Sequence, residues 1–190
     1  MAVLTKSQLK TVFSGLGSIY LFDGNLDLSS NEGLDMSNPK FDLPVTVDSF
    51  NFSQAEPTIN ATKVHGLNAD WCSTSTAGDV TIGATVPSIS DELNTYFLGG
   101  IGTALTTQET GPDGVTKWVG KAYELTNHKI TCSLALVDDS NTHMVVISGI
   151  SLYATPNFEN ASTAPFSWTL TGSIETNDAS DNNIAFFTKA

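Results

Sequence analysis

Along most of the chain, apolar residues come in short runs that alternate with polar ones, bounded by Gly, Pro, Asn and Asp. Val80, Ile82, Ala84 and Val86 alternate with Asp79, Thr81, Gly83 and Thr85. Ile130, Cys132, Leu134 and Leu136 share one parity, and Met144, Val146, Ile150 and Leu152 share another that Ser148 interrupts. Phe166, Trp168, Leu170, Gly172 and Ile174 form a fourth run. A period of two puts one apolar face on a core and leaves one wet face, as in an antiparallel sheet. The wet faces are rich in Ser and Thr, as at Thr131/Ser133 and Thr169/Thr171/Ser173. Less regular runs predict strands at Ser18–Phe22, Val45–Phe52, Thr58–Leu67, Lys117–Tyr123 and Ile184–Phe187. The change of parity between Val45/Val47 and Phe50/Phe52 suggests a bulge or burial on both faces. Asp138–Asn141 reads as a hairpin turn.

One segment has helical spacing. Ile89, Leu93, Tyr96 and Phe97 make an apolar stripe, Ser88 or Ser90 can cap it, and Asp91 and Glu92 suit its first turn. Gly99-Gly100 ends it, so a short helix is expected over about 88–98. A further helical turn is expected near Ser7–Phe13. Segments 23–43 and 101–116 lack a core pattern and read as long loops that become ordered on assembly. The expected fold is mainly β: an antiparallel sandwich or flattened barrel with one flanking helix. It forms a single domain over residues 1–190, with an N-terminal arm at 1–13.

Composition narrows the function. The chain carries eight basic residues, all lysine, against twenty acidic ones, for a net charge of −12. Arginine supplies the bidentate fork that grips phosphate and reads guanine, and its absence in so acidic a chain argues against sequence-specific nucleic-acid binding. No run is long and apolar enough to span a bilayer, and residues 1–13 lack the apolar core of a secretion signal. The expectation is a chain made in the cytoplasm, with no membrane partner.

Catalytic and metal signatures are missing. His65, His128 and His143 have no neighbouring ligands at zinc-site spacing, and read as structural. No nucleophile elbow or phosphate loop occurs, and the acidic run from Asp23 to Asp27 lacks the spacing of a calcium loop. Cys72 and Cys132 belong to no paired motif; Cys132, on an apolar parity, reads as a buried thiol, with a disulfide left open. The Asn-x-Ser/Thr triplets at Asn51, Asn60 and Asn160 matter only for a secreted chain. Trp168 sits on an apolar parity, while Trp71 and Trp118 are unassigned. We therefore expect no catalytic residue, metal or cofactor.

The order of elements in the middle of the chain resembles a known family. Val64-His65-Gly66-Leu67-Asn68-Ala69-Asp70-Trp71 leads to Gly78–Ile82, a break at Pro87, and the helix ending Tyr96-Phe97-Leu98-Gly99. The strand Val145–Thr155, then Pro156-Asn157-Phe158 and the run Phe166–Glu175, continue the likeness, which spans Ser18 to Glu175. This order resembles the major tail tube proteins of long-tailed bacteriophages, whose fold is shared by the inner tubes of secretion and injection machines. The resemblance implies a virion subunit that joins copies of itself into hexameric rings. The rings stack into a hollow tube, which contacts other tail proteins and lets DNA pass without specific binding. It also implies ring-stacking or subunit contacts in the arm and early loop, here Leu9, Phe13, Leu26, Leu28, Leu34, Met36 and Phe41. Asp48 and Asp79, in predicted strands, are the expected lumen-facing acids. The competing readings are an extracellular β-sandwich, either carbohydrate-binding or pilin-like, and a glycosidase using paired carboxylates.

Overall fold

The structure, a computed structural model, describes residues 12–29, 34–66, 68–106, 112, 114, 117–158 and 165–189. It is mainly β and antiparallel with one short helix, as the period-two runs require, and is consistent with a β-sandwich; no barrel closes among the described residues. The chain divides into two compact units that interleave in sequence: Met1–Pro44, Lys129–Ser151 and Glu175–Ala190 form one, and Val45–His128 with Leu152–Ile174 form the other.

The first unit contains β1 (Ser18–Asp23), β2 (Phe41–Asp42), β9 (Ile130–Val137), the first part of β10 (His143–Asn157) and β12 (Ile184–Thr188). The second contains β3 (Asn51–Gln54), β4 (Thr58–Thr62), β5 (Cys72–Thr76), β6 (Val80–Val86), α1 (Asp91–Leu98), β7 (Thr103–Thr106), β8 (Val119–Ala122), the rest of β10, and β11 (Ser167–Ile174). The main sheet has the order β2-β1-β9-β10-β11-β6-β3, with β12 also on β10. The pairs β4–β5 and β7–β8 stand outside it as two-stranded ribbons.

In the second unit the strand pattern follows the sequence closely. Trp168 and Leu170 of β11 are buried between exposed Thr169 and Thr171, and register places Trp168 opposite Val86 and Leu170 opposite Ala84. The helix starts where Ser90 caps it, its hydroxyl accepting from the Leu93 N–H at 3.3 Å. It stops at Gly99, whose φ of 70° disfavours a side chain and whose N–H donates to the Thr95 carbonyl. Leu93 and Phe97 face inward; Ile89 lies before the helix and is exposed. Phe97 meets the edge of Trp168 at 5.5 Å between ring centroids, and Phe166 meets Trp168 at the same separation.

The first unit departs from the expected wet face. Cys132 through Leu136 are all buried, so Ser133, expected on a solvated face, has no exposure. The cover is the segment after β1. The Leu26 N–H donates to the hydroxyls of Ser133 and Ser148 at 3.2 and 2.9 Å, and its carbonyl accepts from Ser148 and from the Asn177 amide at 3.1 Å each. Side chains rather than a backbone ladder thus satisfy a peptide laid across the sheet, as burial demands. Leu26, Leu28, Leu34 and Met36 pack with Tyr20 and Met144 on a small core of Phe22, Ala135 and Val146. The described part of this segment is therefore packed within the chain, although it lacks a long periodic run.

Other boundaries are corrected. Val45–Phe52 is not one strand: β3 begins at Asn51, and a turn with Asp48 at φ 61° accounts for the parity change. The expected strand from Thr58 stops at Thr62. Cys72–Thr76, too polar to show alternation, is a strand, and so is Thr103–Thr106 inside an expected loop. The expected helical turn near Ser7–Phe13 lies outside the described residues up to Thr11, and Val12 and Phe13 are not helical.

Gly149 marks a bend in β10. Its φ is 76°, and a Cβ there would lie 2.9 Å from the Glu175 carbonyl oxygen and 3.2 Å from the Asn177 nitrogen. Gly149→Ala is expected to cost about 2 kcal/mol, since left-handed backbone and close backbone atoms both oppose a methyl group. Urea melts of the two chains measure it; a change below about 0.5 kcal/mol would show that this bend relaxes freely.

Candidate assembly surface

Among the described residues, two ribbons are exposed along the whole of both their strands. In the first, register pairs Thr58 with Thr76, Ile59 with Ser75, Asn60 with Thr74, Ala61 with Ser73 and Thr62 with Cys72. Every residue of both strands is exposed. Directly opposed residues share a face, so Ile59 and Ala61 lie on one face while Thr58, Thr62, Thr74 and Thr76 lie on the other. Trp71, 66% exposed, continues this ribbon through its N–H to the Thr62 carbonyl.

The second ribbon pairs Leu105 with Gly120 and Thr106 with Val119, and again every strand residue is exposed. Its base is tied to the helix. The Lys121 ammonium lies 3.3 Å from the Asp91 carboxylate, and the Tyr123 hydroxyl lies 3.2 Å from the Thr95 hydroxyl. Beyond that base it presents Leu105 and Val119 to solvent, with Ile101 and Leu125 exposed nearby in sequence. A two-stranded ribbon is marginal on its own in water, and exposed aliphatic groups on it gain from being covered.

The residues expected at subunit contacts fall in different places. Leu9 lies outside the described residues. Phe13 is exposed, and Phe41 is half-buried in β2 opposite Leu21. Leu26, Leu28, Leu34 and Met36 come together, half-buried, on the small core described above. Asp48 and Asp79 are exposed, but neither is in a strand: Asp48 is in the turn, and Asp79 precedes β6 with its carbonyl taken by the Ala55 N–H. The strand placement that singled them out is thus corrected. The ribbons were not singled out in sequence because β5 and β7 are short and rich in Ser and Thr.

The chemistry-bearing side chains have structural surroundings. Asp138 is enclosed at the β9–β10 turn. Its carboxylate accepts from the N–H groups of Thr142 and His143 and from the Ser140 and Thr142 hydroxyls, with His143 Nδ1 at 3.2 Å. Burial alone would raise its pKa; the hydrogen bonds, led by the His143 and Ser140 donors, outweigh it and hold the group well below the usual carboxylate range. The His128 ring lies close against Gly99, where it leaves no room for a Cβ, and His65 is exposed in a turn. Among the described residues no group of three or more His, Cys, Asp or Glu is placed to hold a metal ion. A cavity of about 350 Å³ is lined by Val137, Thr142, His143, Met144 and Phe187, among others, and a second of about 440 Å³ by Asp23, Leu26, Asp35 and Lys40, among others.

Both cysteines are free thiols. Burial, reinforced by the Asp23 charge, pushes the Cys132 thiol up to about 12, whereas Cys72 is exposed on the first ribbon. A thiol reagent at pH 8 is expected to titrate one cysteine in the native chain and both after denaturation. Rapid reaction of both in the native state would contradict the burial of Cys132.

No protein-family model matches this chain, and no curated protein sequence matches it.

Proposed function

We propose that the chain is a structural subunit that joins copies of itself, and that its assembly is the tail tube of a long-tailed bacteriophage. The observation that carries this reading is the pair of fully exposed ribbons that pair outside the main sheet, with exposed Ile59 and Trp71 on one and exposed Leu105 and Val119 on the other. A neighbouring copy gives such ribbons the cover they lack. The resemblance in element order supplies the kind of assembly: hexameric rings stacked into a tube, in contact with other tail proteins, in the virion. The net charge of −12 and the absence of arginine support a tube through which DNA passes without binding, because an acidic wall releases no counterions to reward contact. In this reading the chain is not an enzyme.

The exposure of Trp71 and Trp118 favours a second reading, an extracellular carbohydrate-binding module with aromatic side chains stacking on sugar rings. One variant separates the two. Leu105→Glu with Val119→Glu is expected to leave the monomer's melting within about 0.5 kcal/mol, since both sites are exposed, and to abolish assembly. Glycan binding at Trp71 or Trp118 by a chain that does not assemble would replace the tube reading with the second one.

A further inference from the structure

We propose that β12 is a homotypic docking edge, through which two copies of this chain join antiparallel. The argument starts from which backbone groups β12 leaves open. Its partner is β10, with His143 opposite Thr188, Val145 opposite Phe186 and Ile147 opposite Ile184. The Lys189 N–H donates to the Thr142 carbonyl and the Ser148 N–H to the Asn183 carbonyl, at 2.8 Å each. In an antiparallel ladder these hydrogen-bonded positions alternate. Asn183, Ala185, Phe187 and Lys189 therefore turn their backbone groups toward β10. Ile184, Phe186 and Thr188 turn theirs to the outer edge, where no described strand pairs with them.

Proteins usually protect such an edge with a charge, a proline or a bulge. Ile184–Thr188 has none of these, and Phe186 is 74% exposed. The charge distribution names the occupant. A chain of net charge −12 repels a second copy over most of its surface, so approach is favoured at an uncharged segment. One antiparallel register of β12 on itself also fits in detail. With Ala185 on the two-fold axis, the outward-facing Ile184 and Phe186 of one copy meet Phe186 and Ile184 of the other. These are hydrogen-bonded pairs with an aromatic group against a β-branched one, repeated by symmetry. Over residues 183–189 the single charged residue is Lys189, so the segment carries no acid of its own to repel the other copy. This contact closes at two copies, unlike the head-to-tail contacts that build a ring, and it does not depend on the tube reading.

Sedimentation of the full chain across a concentration series tests it, beside Phe186→Lys and an oxidation assay on Ala185→Cys in a Cys72→Ser background. In the Leu105→Glu, Val119→Glu background, which removes larger assembly, the chain is expected to show a monomer–dimer equilibrium, weakened at least about tenfold by Phe186→Lys. Ala185→Cys is expected to form an intermolecular disulfide. Non-hydrogen-bonded pairs across an antiparallel axis have Cα atoms about 4.5 Å apart, inside the range a disulfide spans. Phe187→Cys, opposite Asn183 in this register, is expected not to crosslink. A chain that stays monomeric, a dimer or larger assembly unmoved by Phe186→Lys, or the absence of an Ala185→Cys crosslink would overturn the proposal.

Discussion

Replacing Phe97 by Ala is expected to destabilise the chain by about 3–5 kcal/mol, the range for removing a large aromatic side chain from a packed interior. Phe97 has no exposed surface and stands edge-on to Trp168, itself 3% exposed. The helix that carries it is eight residues long, too short to persist without tertiary packing. Its inward face consists of Leu93 and Phe97, so losing the phenyl ring removes most of what holds it. For a chain of this length the melting temperature should fall by roughly 10 °C. The control is Ile89→Ala, which shares the apolar spacing in the sequence but lies before the helix and is 71% exposed, expected to change stability by less than about 0.5 kcal/mol. Equal effects at the two positions, in thermal or urea melts, would refute the packing of the helix described above.

Asp138→Ala is the second large effect. The carboxylate side chain has no exposed surface, and it accepts from two backbone N–H groups and two hydroxyls of the β9–β10 turn. Alanine leaves those N–H groups enclosed without an acceptor, which costs more than an ordinary hydrogen bond is worth. The melting temperature near neutral pH is expected to fall by roughly 5–10 °C. The pH dependence identifies the cause. The folded-state pKa of Asp138 is depressed, so its stabilisation is fully present above the unfolded value, near about 3.9, and is lost as pH falls through the lower folded value. The gap between wild type and Asp138→Ala should therefore narrow below about pH 4 from its value near neutral pH. A gap that stays constant down to pH 2 would show that the charge of the carboxylate does not matter.

Much of the fold was legible because burial on one face writes itself as alternation. β6 and β11, each with one buried and one more exposed face, were readable from alternation, and the helix from Leu93, Phe97 and its Gly99 end, while its start, left between Ser88 and Ser90, is set at Ser90 and leaves Ile89 outside. Legibility failed where burial no longer follows period two. β9 is covered on both faces, so Ser133 looked solvated while it serves as a hydrogen-bond partner for the Leu26 peptide. The cover itself carried a signal too short to count as a strand. Leu26-Asp27-Leu28-Ser29 and Leu34-Asp35-Met36-Ser37 repeat one pattern, with each leucine or methionine half-buried and each aspartate accepting from the serine two residues on. The ribbons were half legible: the runs at Thr58–Leu67 and Lys117–Tyr123 contain β4 and β8, whereas β5 and β7, fully exposed and rich in Ser and Thr, have no face to imprint on the sequence and are defined by pairing with those partners. A surface made for another copy of the chain is hard to see for the same reason, since its apolar groups look like ordinary exposed residues until a register places them.

Negative-stain electron microscopy of the purified chain over a concentration series, with and without sulfate to favour burial, tests the central claim most directly. The account predicts rings or hollow tubes of one uniform diameter, lost in the Leu105→Glu, Val119→Glu variant. Particles no larger than a monomer or a β12-linked dimer under every condition would contradict it.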